Sequence, residues 1–207
     1  MGRIYLLRHG QTAWNKEEVF RGTLDVPLDD VGRRQARDAG RALKRKGLKD
    51  PVIYCSPQAR ARETAEIVAA EIPVQELHPE PAFRDLNFGE WQGMPKTEVA
   101  RLYPDLLKKW ATEPAGIVFP GGEGLEAVAD RAEEALYRLA RENLHRDMIL
   151  VSHQVVNKVI LCRLLGAGLN VFWRLGQDTA CLNLLEYNGS HFVVQTVNDT
   201  HHLSAAL

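Results

Sequence analysis

The chain has 207 residues, a length that predicts one domain or one domain with an inserted cap. Hydrophobic residues make up 45% of it and charged residues 26%, which is ordinary for a globular domain and excludes disordered, collagen-like and coiled-coil proteins. The 26 Lys and Arg nearly balance the 27 Asp and Glu, so the net charge of −1 provides no general positive field for nucleic acid or an anionic membrane. A phosphate-bearing ligand would therefore have to be bound by local positive charges.

The sequence contains neither a membrane span nor a pattern of metal-binding cysteines. No apolar run reaches the roughly 18–20 residues that a membrane helix needs, and Arg8 comes too early for the apolar core of a signal peptide. We therefore expect a cytoplasmic protein that binds neither membranes nor nucleic acid. The cysteines are odd in number and widely spaced among apolar residues, which predicts buried, reduced thiols rather than disulfides or a zinc site. They are Cys55, Cys162 and Cys181.

In chain order, a short apolar run is followed repeatedly by a segment with the spacing of a helix. The apolar runs are Ile4–Leu7, Val52–Cys55 and Met148–Val151, and the helical segments are Gly32–Lys46, Gln58–Ala70 and Val155–Leu165. Runs that are apolar throughout, rather than alternating, indicate a mainly parallel sheet covered by helices on both faces. The predicted fold is therefore a three-layer α/β/α sandwich.

Two further segments depart from this pattern. Leu182–Tyr187 and His191–Val194 flank an Asn-Gly dipeptide and predict an antiparallel hairpin at one edge of the sheet. Between about 79 and 124 the pattern breaks and prolines recur, which we interpret as a cap-like insertion over the sheet with one helix near Lys96–Trp110. We expect all of these segments to form a single domain over residues 1–207.

Positively charged or titratable residues follow each of the apolar runs. Arg8 and His9 follow the first run, Arg60 lies shortly after the second, and His153 follows the third. The carboxyl ends of parallel strands meet at one edge of a sheet, where open sheets bind ligands. A single such residue would ordinarily be solvated, but four at one edge would repel one another unless an anion completed the cluster. The pattern therefore predicts an anion-binding site.

Together, five segments in this order resemble the histidine phosphatase superfamily, which includes cofactor-dependent phosphoglycerate mutases and broad phosphomonoesterases. The segments are Leu7–Thr12 with Asn15 after it, Phe20–Leu28, Ser56–Thr64, Phe119–Glu123 and Val151–His153. The tripeptide Arg-His-Gly alone occurs often by chance, but the ordered set does not. The resemblance extends over almost the whole chain.

The resemblance implies that His9 is a nucleophile that forms a phosphohistidine, which water later opens. Arg8 and Arg60 would each present a planar guanidinium to two phosphate oxygens. His153 would be a second histidine at the phosphate, where it donates a hydrogen bond. Neither a metal nor another cofactor is implied. The residues expected to bind the rest of the substrate are Thr12, Asn15, Arg21, Gly22 and Gln154.

The cap is expected to supply a general acid. Its stretch Phe83–Gly93 resembles a family motif in which a carboxylate follows an arginine, and the matching residue here is Asp85, one methylene shorter than the usual glutamate. Two alternatives are that Asp85 only pairs with Arg84 or caps a turn, and that Glu90 is the acid. We predict that Asp85 is the acid and that Glu90 points elsewhere.

Three further positions differ from what the resemblance leads us to expect. Gln154 stands where many members carry glycine, Lys158 where they carry arginine, and Arg21 where phosphatases carry uncharged polar residues. Arg21 would bind a second anionic group of the substrate if it faces the pocket, and would be solvated otherwise. Sequence alone leaves open which of these holds.

The leading function is hydrolysis of small phosphorylated metabolites. A phosphoglycerate mutase is the alternative, but the short cap would exclude water poorly, which favours hydrolysis over retransfer. A non-enzymatic protein that binds a phosphorylated ligand is third, since binding alone would require neither His9 nor Asp85. A homodimer through Phe172 and Trp173 is also open, with core packing of these residues as the alternative.

Overall fold

The computed structural model describes residues 2–74 and 76–203, so Met1, Gln75 and residues 204–207 of the predicted domain lie outside the described residues. Its strands are β1 Gly2–Arg8, β2 Val52–Cys55, β3 Leu77–Pro79, β4 Met148–Ser152, β5 Leu182–Tyr187 and β6 Phe192–Asp199. They form one sheet in the order β3-β2-β4-β1-β5-β6. β3, β2, β4 and β1 are parallel, and β5 and β6 add an antiparallel hairpin next to β1. The predicted mainly parallel sheet with an antiparallel edge is confirmed.

Helices cover both faces of the sheet. They are α1 Ala13–Lys16, α2 Asp30–Arg45, α3 Ala59–Glu71, α4 Lys96–Leu102, α5 Pro104–Thr112, α6 Leu125–Glu142 and α7 Gln154–Leu164, with 3₁₀ turns at Pro81–Phe83, Gly89–Trp91, Pro114–Gly116 and Leu169–Arg174. Side chains alternate between the faces of β1: Tyr5 and Leu7 pack with α2 and α3, whereas Ile4 and Leu6 pack with α6 and α7. Because both faces of the central strands are buried, β2 and β4 are apolar at nearly every position.

The structure corrects several sequence predictions. The single cap helix near Lys96–Trp110 is two helices, because Pro104 has no amide hydrogen to continue α4 and instead begins α5. β3 was not predicted, since three residues ending in proline show no strand pattern. Helix α6 was not singled out either, although Leu125, Val128, Ala132 and Leu136 carry the spacing of an amphipathic helix.

The register of the parallel strands brings the predicted site residues to one edge. Arg8 pairs with Ser152, so the next residues of the two strands, His9 and His153, leave the sheet at the same level. The turn after His9 requires glycine: a Cβ on Gly10 would lie 2.4 Å from the carbonyl oxygen of Gly32, which opens α2. This close approach holds the loop that carries His9 against the body of the domain.

Two sequence predictions about cysteines and membranes are answered here. The three cysteines are free and buried, as predicted, in agreement with their apolar surroundings. Within residues 2–74 and 76–203, every helix is too short or too polar to cross a membrane.

Candidate active site

His9 lies at the base of a cavity of about 130 Å³ at the carboxyl edge of the sheet. Its backbone N–H donates to the carbonyl of Ser152, and its Nδ1 lies 2.7 Å from the carbonyl oxygen of Gly10. A carbonyl only accepts, so Nδ1 carries the hydrogen and donates it to Gly10. The lone pair of the ring is therefore on Nε2, the nitrogen available to a ligand.

His153 lies beside His9, with 5.2 Å between the ring centroids. Its Nε2 is 2.8 Å from the Ser56 hydroxyl oxygen, and its Nδ1 has no hydrogen-bond partner and lies 3.7 Å from Oδ2 of Asp85. Burial, the strongest cause, and the positive charges of Arg60, Arg8 and Arg21 lower the pKa of both histidines well below their usual range. Both rings are therefore neutral near pH 7.

Arg60 is completely buried beneath the cavity and is already bonded on several sides. Its Nη1 donates to the carbonyl of Leu24 at 2.9 Å, and its Nη2 donates to the carbonyl of Gly22 at 2.8 Å and to Oδ2 of Asp85 at 2.9 Å. Its Nε is buried without a partner. The anion that Arg60 binds in the structure is thus the Asp85 carboxylate.

Arg8 ends β1 and is held from behind. Its Nη1 donates to the carbonyl of Gln177, whose buried side-chain amide pairs in turn with Asn183. The Nε of Arg8 is buried and has no partner. The bond to Gln177 thus fixes the orientation of the guanidinium at the end of β1.

Asp85 is buried in the cavity wall as the counter-ion of Arg60. Its Oδ1 accepts from the N–H of Leu86 at 3.0 Å, so it forms a local turn contact in addition to the ion pair. Its described ion pair is with Arg60 and not with Arg84, and Nδ1 of the neutral His153 lies 3.7 Å from the same oxygen. The rival Glu90 accepts from the Tyr103 hydroxyl at 2.7 Å and does not line the cavity, as predicted.

Three of the predicted substrate-binding residues, Arg21, Gly22 and Gln154, line the cavity with His9. Gly22 has a positive φ of 51°, which favours glycine, and points its carbonyl at Arg60. Gln154 is the first residue of α7, so the positive end of that helix faces the cavity and favours an anion.

Asn15 and Thr12 lie further out. Asn15 lines an adjoining cavity of about 220 Å³ together with Arg8 and Arg21. Both the backbone N–H and the hydroxyl of Thr12 donate to Oδ1 of Asn15 at 2.9 Å. Both donors of Thr12 are thus taken up by Asn15, and the contact of Thr12 with a substrate stays a prediction.

Arg21 is half-buried between the two cavities, so the solvated alternative is wrong. Desolvation lowers its pKa to about 10, which still leaves the guanidinium charged near pH 7. Its Nε is buried without a partner. Arg21 therefore adds a charge to the site that Arg8 and Arg60 already make positive.

Sequence reasoning missed the aromatic wall of the cavity. Phe20, Phe88, Trp110, Phe172 and Trp173 line it opposite the charged residues. They come from widely separated segments, and single aromatic residues in a sequence ordinarily indicate core packing. No sequence signal would have brought them together.

Lys158 supports that wall from behind. Its Nζ lies 4.8 Å from the ring centroid of Phe172 and 4.7 Å from that of Trp173, within range of cation–π contacts.

Within the part of the chain that the structure describes, no group of three or more His, Cys, Asp and Glu side chains could hold a metal. The site is thus a cationic pocket with one aromatic side.

Comparisons with known proteins agree with this geometry. The family model described as Histidine phosphatase superfamily (branch 1) matches residues 4–200. The chain belongs to this superfamily. A phosphoserine phosphatase 1 from Hydrogenobacter thermophilus is similar to this histidine phosphatase, with 32% identity over 203 residues that cover 98% of the chain and 95% of that protein.

Two other similar proteins support the same assignment. An adenosylcobalamin/alpha-ribazole phosphatase from Escherichia coli is 26% identical over 198 residues, 95% of either protein. The solved structure of Bacillus stearothermophilus YhfR has a TM-score of 0.92 and 28% identity, and the match covers 99% of this histidine phosphatase and 100% of that chain. The predicted family, fold and enzyme class, a phosphomonoesterase, are confirmed.

Proposed function

We propose that this histidine phosphatase hydrolyses phosphate monoesters of small metabolites through a phosphohistidine on Nε2 of His9. The observation that carries the proposal is the hydrogen bond from Nδ1 to Gly10, which leaves the lone pair on Nε2. Burial and the nearby arginines lower the pKa of the ring, which favours its neutral form. A protonated imidazole could not attack phosphorus. The surrounding arginines therefore have two roles: their charges lower the pKa of His9 and keep its ring neutral, and they bind the phosphate.

In the first step, Nε2 of His9 forms a bond to phosphorus as the bond from phosphorus to the ester oxygen breaks. Arg8, Arg60 and the amino end of α7 bind the equatorial oxygens. The Ser56 hydroxyl lies 2.8 Å from Nε2 of His153, and with this hydroxyl as the donor the Nδ1–H of His153 faces the phosphate. The departing alcohol oxygen takes a proton from Asp85.

Asp85 can act in this way because the phosphate takes its place on Arg60. In the free enzyme Arg60 binds the Asp85 carboxylate at 2.9 Å, and a phosphate dianion competes for the same nitrogen. Once displaced from Arg60, Asp85 carries a proton from solvent to the leaving oxygen. In the second step Asp85 takes a proton from water, whose oxygen attacks phosphorus and releases His9.

The test is rapid-quench trapping with labelled phosphoserine, chosen because a relative is a phosphoserine phosphatase, and with 3-phosphoglycerate. Wild type should accumulate a base-stable, acid-labile phosphoprotein and release free phosphate, also with EDTA present. His9→Ala should abolish both, whereas the exposed His145→Ala should match wild type.

Activity of His9→Ala within tenfold of wild type would refute the mechanism. An isomerised ester in place of free phosphate would identify a mutase, and phosphate binding without turnover would identify the non-enzymatic alternative. The cytoplasmic location and the homodimer stay predictions; in the structure Phe172 is buried and Trp173 is 44% exposed.

A further inference from the structure

A second cavity adjoins the active site on its aromatic side. It encloses about 650 Å³, and we call it the cap cavity because helices α4 and α5 form most of its wall. Phe20, Trp110 and Trp173 line both this cavity and the one over His9. The cap cavity therefore begins where the phosphate-binding cavity ends.

The wall of the cap cavity is mainly apolar. Ala100 from α4, and Leu107 and Ala111 from α5, supply small or aliphatic side chains, while Lys96 and Lys108 add charged groups. This differs from the cavity over His9, which the charged side chains of Arg21 and Asp85 line. Apolar walls next to a few polar groups are typical of a small-molecule site, and the volume lies within the roughly 300–1,000 Å³ of such pockets.

The aromatic residues between the two cavities are held in fixed orientations. Trp110 and Trp173 meet at 79° with their centroids 5.2 Å apart, and Nε1 of Trp173 donates to the carbonyl of Trp110. Lys158 packs against the ring of Trp173 at 4.7 Å. Trp173 is nevertheless 44% exposed and lines both cavities, so an indole that is held from several sides stays accessible to a ligand.

We propose that the cap cavity binds the alcohol part of the substrate and selects phosphate monoesters whose alcohol carries a planar aromatic ring. The inference rests on the proposed function. Nε2 of His9 attacks phosphorus in line, so the leaving oxygen points away from His9. A ring attached to that oxygen can pack against Trp173, which is 44% exposed and which the buried Trp110 holds at 79°, whereas a serine or glycerol group would leave the cavity unfilled.

The test uses alcohols of similar acidity, so that only the ring differs: ethyl, phenethyl and naphthylethyl phosphate. Binding of the ring is expected to raise kcat/KM by at least about tenfold from ethyl to naphthylethyl phosphate, the size expected from the apolar area removed from water. If no ester is hydrolysed, the proposed function fails. If all are hydrolysed equally well, only the cap cavity proposal fails.

Variants then locate the effect. Ala100→Trp fills the cap cavity from an exposed helix position, and should lower the naphthylethyl to ethyl ratio of kcat/KM by about tenfold. The matched control is Ala127→Trp, the same change at an exposed position of α6, which should leave the ratio as in wild type. Ala111→Trp repeats the test from α5 if the first variant unfolds at a lower temperature.

Two results would overturn the assignment. An unchanged ratio in both filling variants would show that the ring binds elsewhere. A dimer in sedimentation that Ala100→Trp dissociates, with no discrimination between the esters in wild type, would assign the cap cavity to a second copy of the chain instead.

Discussion

Replacing Asp85 by Asn removes one negative charge and one exchangeable proton while keeping the shape of the side chain. In the free enzyme this carboxylate is bonded to Arg60 at 2.9 Å and lies 3.7 Å from Nδ1 of His153. The amide can still accept from Arg60, but it can neither donate a proton to the leaving alcohol nor compete as an anion for the guanidinium. Catalysis and phosphate binding should therefore change in opposite directions.

The expected loss in kcat for alkyl esters is on the order of 10²–10⁴, the usual contribution of a general acid. p-Nitrophenyl phosphate should lose far less, because its phenolate departs unprotonated. Inorganic phosphate should bind more tightly, by about tenfold, since roughly 1.4 kcal/mol separates a charged from a neutral competitor on Arg60.

The assay combines steady-state rates on phosphoserine and p-nitrophenyl phosphate with inhibition by phosphate at a single pH. Asp105→Asn, at an exposed position in the first turn of α5, is the matched control and should leave all three quantities unchanged. Thermal unfolding of both variants shows whether the fold is retained.

Equal losses on the two substrates would mean that Asp85 only supports Arg60. Weaker phosphate binding in Asp85→Asn would refute the idea that the carboxylate occupies the anion position in the free enzyme. A full rate on phosphoserine would assign the acid to another group.

Three further predictions concern charge. Because the pKa values of His9 and His153 are lowered in the folded state, the unfolded chain takes up protons at a higher pH than the folded chain does. The free energy of unfolding should therefore fall as pH drops below about 6.5, by up to about 2.7 kcal/mol per pH unit for the two histidines together. A urea-unfolding free energy that stays constant between about pH 5 and 6.5 would contradict this prediction. Arg21→Gln should lower the ratio of kcat/KM for 3-phosphoglycerate to that for p-nitrophenyl phosphate by roughly ten- to a hundredfold, because it removes a charge-assisted bond to a second anion. An unchanged ratio would mean that Arg21 binds the transferred phosphate or no ligand. Burial lowers the pKa of Lys158 to about 8, so its buried charge destabilises the fold at lower pH. The free energy of unfolding should therefore rise as pH increases from about 8 towards the usual lysine pKa of about 10.4. Lys158→Met should abolish this rise in urea unfolding, and an identical pH profile in the variant would refute the prediction.

Local patterns were enough to predict the sheet and the charged edge. Runs such as Met148–Val151 are apolar at every position because helices cover both faces of the strand, and this condition is visible in the residues themselves. Arg8 is the last residue of β1, and His9 and His153 come directly after β1 and β4. The parallel pairing of these two strands is therefore sufficient to place the three residues together.

Short or interrupted elements were not predicted. β3 has three residues and ends in proline, so its place at the sheet edge depends on pairing with β2 instead of on its own composition. The break between α4 and α5 depends on one proline, Pro104. Because prolines recur throughout the cap, this one does not stand out in the sequence as the boundary between two helices.

The sequence by itself thus determined the family, through five ordered segments. It also determined the mainly parallel sheet and the charged residues at its carboxyl edge, because each of these depends on neighbours within a few positions along the chain. Tertiary structure alone decided that Asp85 pairs with Arg60, that Arg21 faces the cavity, and that Trp110 and Trp173 meet beside it. These contacts join segments far apart in sequence, and the direction of a long side chain depends on the charges and rings that surround it after folding.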